Sequence, residues 1–163
     1  MEPPDYTELW SADRRYGVRI QREVLGAILG MCAQAGSVET GGILVGRYNR
    51  EHSCAQVTRA SPAPTDSRSG KNWFVRGVRG LQRWINTLWC RGEYYLGEWH
   101  FHPGAARSAS GRDSRQMLEI AQSFSYRCPE PILVIIAGDP HATWYVNALV
   151  FPRCRVPIEL VIP

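Results

Sequence analysis

The sequence predicts an α/β fold: one domain with a mixed, mostly antiparallel sheet flanked by helices. Three observations carry this. Two stretches place apolar residues at helical spacing, Val24, Leu25, Ile28, Leu29 and Cys32 in one, and Leu81, Trp84, Ile85, Leu88 and Trp89 in the other. Residues 131–138, Pro-Ile-Leu-Val-Ile-Ile-Ala-Gly, run apolar without a break, as a strand buried on both faces does. Shorter alternating stretches surround them, mostly close enough in sequence to pair with their neighbours. The 163 residues suffice for one real core, and they contain no internal repeat, so residues 1–163 read as a single domain. An apolar fraction of 44% with six Trp and seven Tyr excludes a disordered chain.

Taken in order, residues 1–14 are polar and expected to be loose. Tyr16 to Ile20 alternates like a short strand. A helix follows from Arg22 to Ala35, stopped by Gly36. Residues 39–46, Glu-Thr-Gly-Gly-Ile-Leu-Val-Gly, form a glycine-punctuated strand whose glycines permit close backbone approach. Ser53 to Ala60 is the next strand. Residues 61–72, rich in Pro, Ser and Gly, read as one loop. Trp73 to Val75 is a short strand, and the second helix runs from Leu81 to near Gly92. Glu93 to Gly97 leads a strand into residues 98–103, Glu-Trp-His-Phe-His-Pro, where Pro103 ends it. A third helix covers Arg112 to Ser123. After the buried run at 131–138, Asp139-Pro140 turns the chain and Thr143 to Phe151 returns as a hairpin partner. Val156, Ile158, Leu160 and Ile162 alternate as a last strand.

Composition narrows the function classes. No apolar run reaches the roughly 18 residues that cross a bilayer, so no membrane is expected. The acidic start lacks the basic-then-apolar order of a signal peptide. Five cysteines, odd in number and without Cys-x-x-Cys, fit reduced thiols, most of them in the core, and a cytoplasmic location. The net charge is +4, with arginines clustered at Arg76, Arg79, Arg83 and Arg91 and at Arg107, Arg112 and Arg115. No nucleic-acid module accompanies them, so nucleic acid is not the expected partner.

The densest chemistry is His100-x-His102, followed by Ser110-x-x-Asp113. Residues two apart on a strand share a face, so both imidazoles aim at one point while Trp99 and Phe101 face the other way. Two neutral imidazoles and a carboxylate are a common ligand set for catalytic zinc. Ser110 and Asp113 also read as a capping box for the third helix. That reading is compatible with the first, because it puts the Asp113 side chain in the first helical turn, next to the strand end. By the same parity Glu98 shares the face of the histidines, so spacing alone leaves it open as a base. His52 and His141 stand alone and read as surface residues.

The glycine-rich strand from Glu39, the His100-Phe-His102-Pro103 run and Ser110-x-x-Asp113 resemble the JAMM motif of JAB/MPN metallopeptidases. The resemblance spans about Tyr16 to Phe151. It departs at Ala109, where proline is common, and at Phe101, where Thr or Ser is usual. Gly97-Glu98-Trp99-His100 is similar to small bacterial JAB proteins of cGAS-like anti-phage operons and of bacterial ubiquitin-like conjugation operons. The resemblance implies a deconjugating zinc isopeptidase. One Zn²⁺ per chain is held by His100, His102 and Asp113. Glu39 is the base, favoured over Glu98, and Ser110 donates to the oxyanion. The substrate implied is a ubiquitin-like modifier or another conjugated protein, cleaved after its C-terminal residue. Its extended tail pairs with a strand edge under the 61–72 loop, and its body docks on a basic helix carrying Arg76, Arg79 and Arg83. An operon-encoded E1- or E2-like conjugation enzyme is a further partner to expect. Two alternatives stand beside this: a peptidase that processes a sulfur-carrier protein, and a non-catalytic MPN scaffold, against which the intact motif argues.

Overall fold

The protein is described from a computed structural model, which covers residues 5–104 and 106–163. Its elements follow the apolar segments. In chain order they are β1 (Tyr6–Trp10), β2 (Gly17–Gln21), α1 (Arg22–Ala35), β3 (Thr40–Tyr48), β4 (Cys54–Ala60), β5 (Arg68–Gly70), β6 (Trp73–Val75), α2 (Leu81–Trp89), β7 (Tyr94–His102), α3 (Gly111–Gln122), β8 (Ile132–Gly138), β9 (Trp144–Val150) and β10 (Ile158–Leu160).

Eight strands join one sheet in the order β1-β2-β4-β3-β7-β8-β9-β10, and β5 and β6 form a separate hairpin. Among the described residues only β2 with β4 and β7 with β8 pair in parallel. The sheet curls until its two edges touch, where Trp10 and Val161 exchange backbone hydrogen bonds of 2.8 and 2.9 Å. This leaves short, protected edges.

β7 lies at the centre and is covered on both faces. On one side Trp99 and Phe101 join Val24, Leu25, Ile28 and Cys32 of α1 in the larger core. Both aromatics are fully buried, each stabilising the fold by roughly 1.5–3 kcal/mol through lost water contact. On the other side α2 and α3 bury Leu81, Leu88, Met117 and Ile120 against Ile43, Val45, Leu133 and Ile135. Glu98, His100 and His102 emerge on this second side, within an otherwise apolar layer. Gly97 permits the parallel pairing of β8. Its φ is +151°, and a Cβ there would stand 1.8 Å from the Ile132 carbonyl oxygen.

Three expectations need correction. Tyr6–Trp10 is not loose: it pairs along its length with β2, and its Leu9 is buried, while residues 1–4 lie outside the described residues. Residues 61–72 are not one open loop. Asp66 accepts from the backbone N–H groups of Val78 and Arg79, Ser67 Oγ accepts from Gly77, and Arg68–Gly70 is a strand. Finally, Arg76 and Arg79 precede α2, and only Arg83 rides on it. The Arg76 side chain is 4% exposed, so it cannot belong to a basic docking face.

Candidate metal centre

β7 delivers the two histidines and α3 delivers the carboxylate. Ser110 caps α3, its Oγ accepting from the Asp113 backbone N–H at 3.1 Å. In return Asp113 Oδ2 accepts from the Ser110 N–H at 2.7 Å. The capping box thus fixes the carboxylate, which the cap and the positive helix N-terminus both favour. Asp113 Oδ1 then sits 2.9 Å from His100 Nδ1, and Oδ2 sits 3.5 Å from His102 Nε2. The three residues offer ligand atoms within 4.8 Å of one another, all buried.

The imidazoles are held from behind. His102 Nδ1 lies 3.0 Å from the Ala106 carbonyl, to which it donates, leaving Nε2 with a lone pair. That Nε2 is buried and finds no hydrogen-bond partner among the described residues, an expensive state for a polar atom without a ligand. A cation at the cluster removes this cost, and the donor set of two imidazoles and a carboxylate suits zinc. Among the described residues this is the structural observation that fits a metal here.

Charge concentrates around the cluster. Burial alone would push the His100 imidazole down, but Asp113 on one nitrogen and Glu98 on the other outweigh it and raise its pKa to about 9. Asp113, in turn, is held far below the ordinary carboxylate range: burial opposes this, and the His100 and His102 imidazoles beside it overcome it.

Glu39 stands at the start of β3, where its N–H donates to the Gly70 carbonyl of the hairpin at 2.8 Å. Burial pushes its carboxyl up from the usual value, with His102 pulling the other way. Among the described residues no hydrogen bond or ion pair engages the carboxylate. Glu98 is the opposite case. It is fully buried and engaged by Arg76 at 2.7 Å, by Gln116 at 3.1 Å and by His100 at 3.2 Å. A carboxylate with three partners is poorly placed to exchange a proton, and one with none is free to do so. Ser110 is exposed, and its Oγ accepts from Asp113, so its own hydrogen remains available.

Several contributors escaped the sequence reading. Phe74 of β6 packs edge-on against His100, with centroids 5.3 Å apart. Gly41 leaves room for that ring. Gln116, three residues after Asp113, shares its helix face, a signal that helical spacing does carry. Arg76 had no such signal. Phe101 points into the core away from the site, and His52 and His141 lie away from the cluster, exposed as expected.

A family model described as prokaryotic homologs of the JAB domain matches residues 21–147. A protein of Enterobacter hormaechei named CD-NTase/cGAS isopeptidase is 42% identical over 145 residues, which span 89% of this chain and 81% of that protein. A probable metalloprotease of Sinorhizobium fredii is 26% identical over 133 residues, 79% of this chain and 80% of that one. The solution structure of a Desulfitobacterium hafniense protein superposes with a TM-score of 0.65 at 20% identity, covering 86% of this chain and 87% of that one, a likeness of fold alone. The matched span contains both sides of the site, from Glu39 to Asp113, and the chain belongs to the family of prokaryotic JAB-domain proteins.

Proposed function

We propose that the protein is a zinc-dependent isopeptidase that cuts the amide after the C-terminal residue of a ubiquitin-like modifier, or of a protein conjugated in the same way. The observation that carries the reading is the buried His100, His102 and Asp113 cluster beside a carboxylate, Glu39, that no hydrogen bond or ion pair engages among the described residues. Peptidase activity is supported by family membership and by the names of both curated relatives, one an isopeptidase. The complete set of Glu39, His100, His102, Ser110 and Asp113 argues against a scaffold role.

His100, His102 and Asp113 are the residues that hold the Zn²⁺. When bound there, it supplies polarisation of the scissile carbonyl and acidification of a water. Glu39 takes the proton of the attacking water and hands it to the departing amine nitrogen, so the amide C–N bond breaks to carboxylate and amine. The Ser110 hydroxyl donates to the carbonyl oxygen as negative charge grows on it. An extended tail is the form of substrate that can lay a carbonyl across this site, and the β5–β6 hairpin, bonded to the Glu39 backbone, offers a strand edge to pair with it.

The test is a fusion in which the C-terminal residue of a conjugated partner is joined to a reporter. The partner is a nucleotidyltransferase of the kind named for the Enterobacter relative. Intact mass should report one cut after that residue, stopped by a chelator and restored by zinc. Scattered cuts, or cleavage indifferent to chelation, contradict the proposal.

A further inference from the structure

We infer that Glu98, Arg76 and Gln116 form a buried positioning device that fixes which nitrogen of His100 faces the metal centre. The inference rests on the metal-centre reading above and extends it to residues outside the ligand set.

The geometry leaves little freedom. Arg76 has all three of its guanidinium nitrogens committed: Nε to Glu98 Oε1 at 2.7 Å, Nη1 to the Gly77 carbonyl at 2.8 Å and Nη2 to the Tyr126 hydroxyl at 3.0 Å. Gln116 Nε2 reaches both Glu98 oxygens, at 3.3 and 3.1 Å. Glu98 Oε2 then stands 3.2 Å from His100 Nε2. An ionised carboxylate only accepts, so the nitrogen facing it carries the proton. Nδ1 faces Asp113 at 2.9 Å, and because Asp113 belongs to the proposed ligand set, a cation between the two would replace the proton there and take the Nδ1 lone pair.

The charges agree with this role. The Glu98 carboxylate is buried without any exposure, and Arg76 neutralises it in the same layer. A buried pair of this kind is weak evidence for stability, since apolar residues of similar volume often do as well. What apolar residues cannot do is hold an imidazole by one nitrogen. The ring is gripped from a second direction by Phe74, edge-on at 5.3 Å. The three positioning residues come from three segments: Glu98 from β7, Arg76 from the turn before α2, and Gln116 from α3. The same residues therefore tie the third-helix ligand and the strand ligand into one rigid unit. None of them has to touch substrate.

The experiment measures zinc affinity by competition with a chromophoric chelator, alongside the melting temperature of the metal-free protein. Removing Glu98 alone would strand Arg76 as a buried unpaired charge, so the pair is replaced together. R76M/E98L is expected to fold and to bind zinc about 10–100-fold more weakly, the usual cost of losing a partner behind a metal-bound histidine. R76M/E98Q restores an acceptor for His100 Nε2 without a charge and should recover part of the loss. Q116M removes one anchor with no charge change and should weaken zinc binding by a smaller factor at unchanged melting temperature. A purely structural role predicts the reverse pattern: altered melting and equal affinity throughout. Equal zinc affinity in wild type, R76M/E98L and Q116M overturns the inference, and if the double variants do not fold, unchanged affinity in Q116M overturns it alone. Failure of the wild type itself to bind zinc would instead remove the metal-centre reading.

Discussion

Gly41→Ala should disable the site through one methyl group. Gly41 lies opposite His100 in the β3–β7 ladder. A Cβ at this position would stand 2.4 Å from the Trp99 carbonyl oxygen, 2.8 Å from Phe74 Cε1 and 2.9 Å from His100 Cδ2. Ordinary contact begins at 3.4 Å, so the approach to Trp99 is short by about 1 Å. That first neighbour is backbone, and no rotamer change relieves it. The strands must part by that amount, or β7 must shift along with its histidines. Overpacking of this kind costs roughly 1–3 kcal/mol. At about 2–4 °C per kcal/mol for a chain of this size, the melting temperature should fall by roughly 2–12 °C. Displacing a ligand by about 1 Å is the larger effect, with an expected loss of about 10²-fold in cleavage rate. Gly30→Ala is the control, since a Cβ in that exposed helix position meets nothing within 4 Å. It should raise stability by about 0.5–1 kcal/mol and leave cleavage alone. Thermal melts and cleavage rates on the two variants decide the matter. A Gly41→Ala protein that melts and cleaves like wild type refutes the argument that glycine is needed for the approach of β3 to β7.

Further outcomes follow from the same geometry. Ser110→Ala should lower stability by about 1 kcal/mol through loss of the cap, and cleavage by roughly 10²–10³-fold through loss of a donor. Ser110→Asp restores the cap but cannot donate when ionised, so it should recover the melting temperature and not the rate; recovery of both would leave Ser110 as a cap only. The cleavage rate should fall with acid as Glu39 protonates, because only its ionised form accepts a proton. Burial raises that carboxyl, so the acid limb in a pH–rate profile should lie above the ordinary glutamate value of 4.5. A limb at or below that value would point to another base.

Much of this was legible in the sequence because the periods are strong. Of the α1 residues that helical spacing marks, Val24, Leu25, Ile28 and Cys32 are buried and Leu29 is half-buried, and Gly36 follows the end of the helix. Strand parity places His100 and His102 on one face, and the Ser110-x-x-Asp113 spacing puts the carboxylate where a capping box can aim it. Period-based reasoning fails where pairing is done by backbone. β5 is three residues long, too short to show alternation, and it exists through its ladder with β6. β1 looked polar because its large residues serve the sheet edge: Tyr6 lies under Arg19, while only Leu9 is fully buried. Parity showed that Glu98 faces the site but not what it does there. Its partner Arg76 is 22 residues away, and nothing local distinguishes a buried arginine from a solvated one.

Glu39→Gln tests the account most directly. The amide keeps the size of the side chain and cannot take a proton. The metal-free variant should fold, and at neutral pH it should be at least as stable as wild type, because ionising a buried carboxyl whose pKa is raised costs stability as the pH climbs past 4.5. It should also bind zinc as wild type does, since Glu39 lies outside the His100, His102 and Asp113 cluster. The decisive measurement is the single-turnover rate of reporter release from the fusion substrate by zinc-loaded Glu39→Gln protein. A rate lowered by about 10²-fold or more, with zinc content unchanged, is the predicted result. Cleavage at the wild-type rate would contradict the assignment of Glu39 as the group that moves the proton.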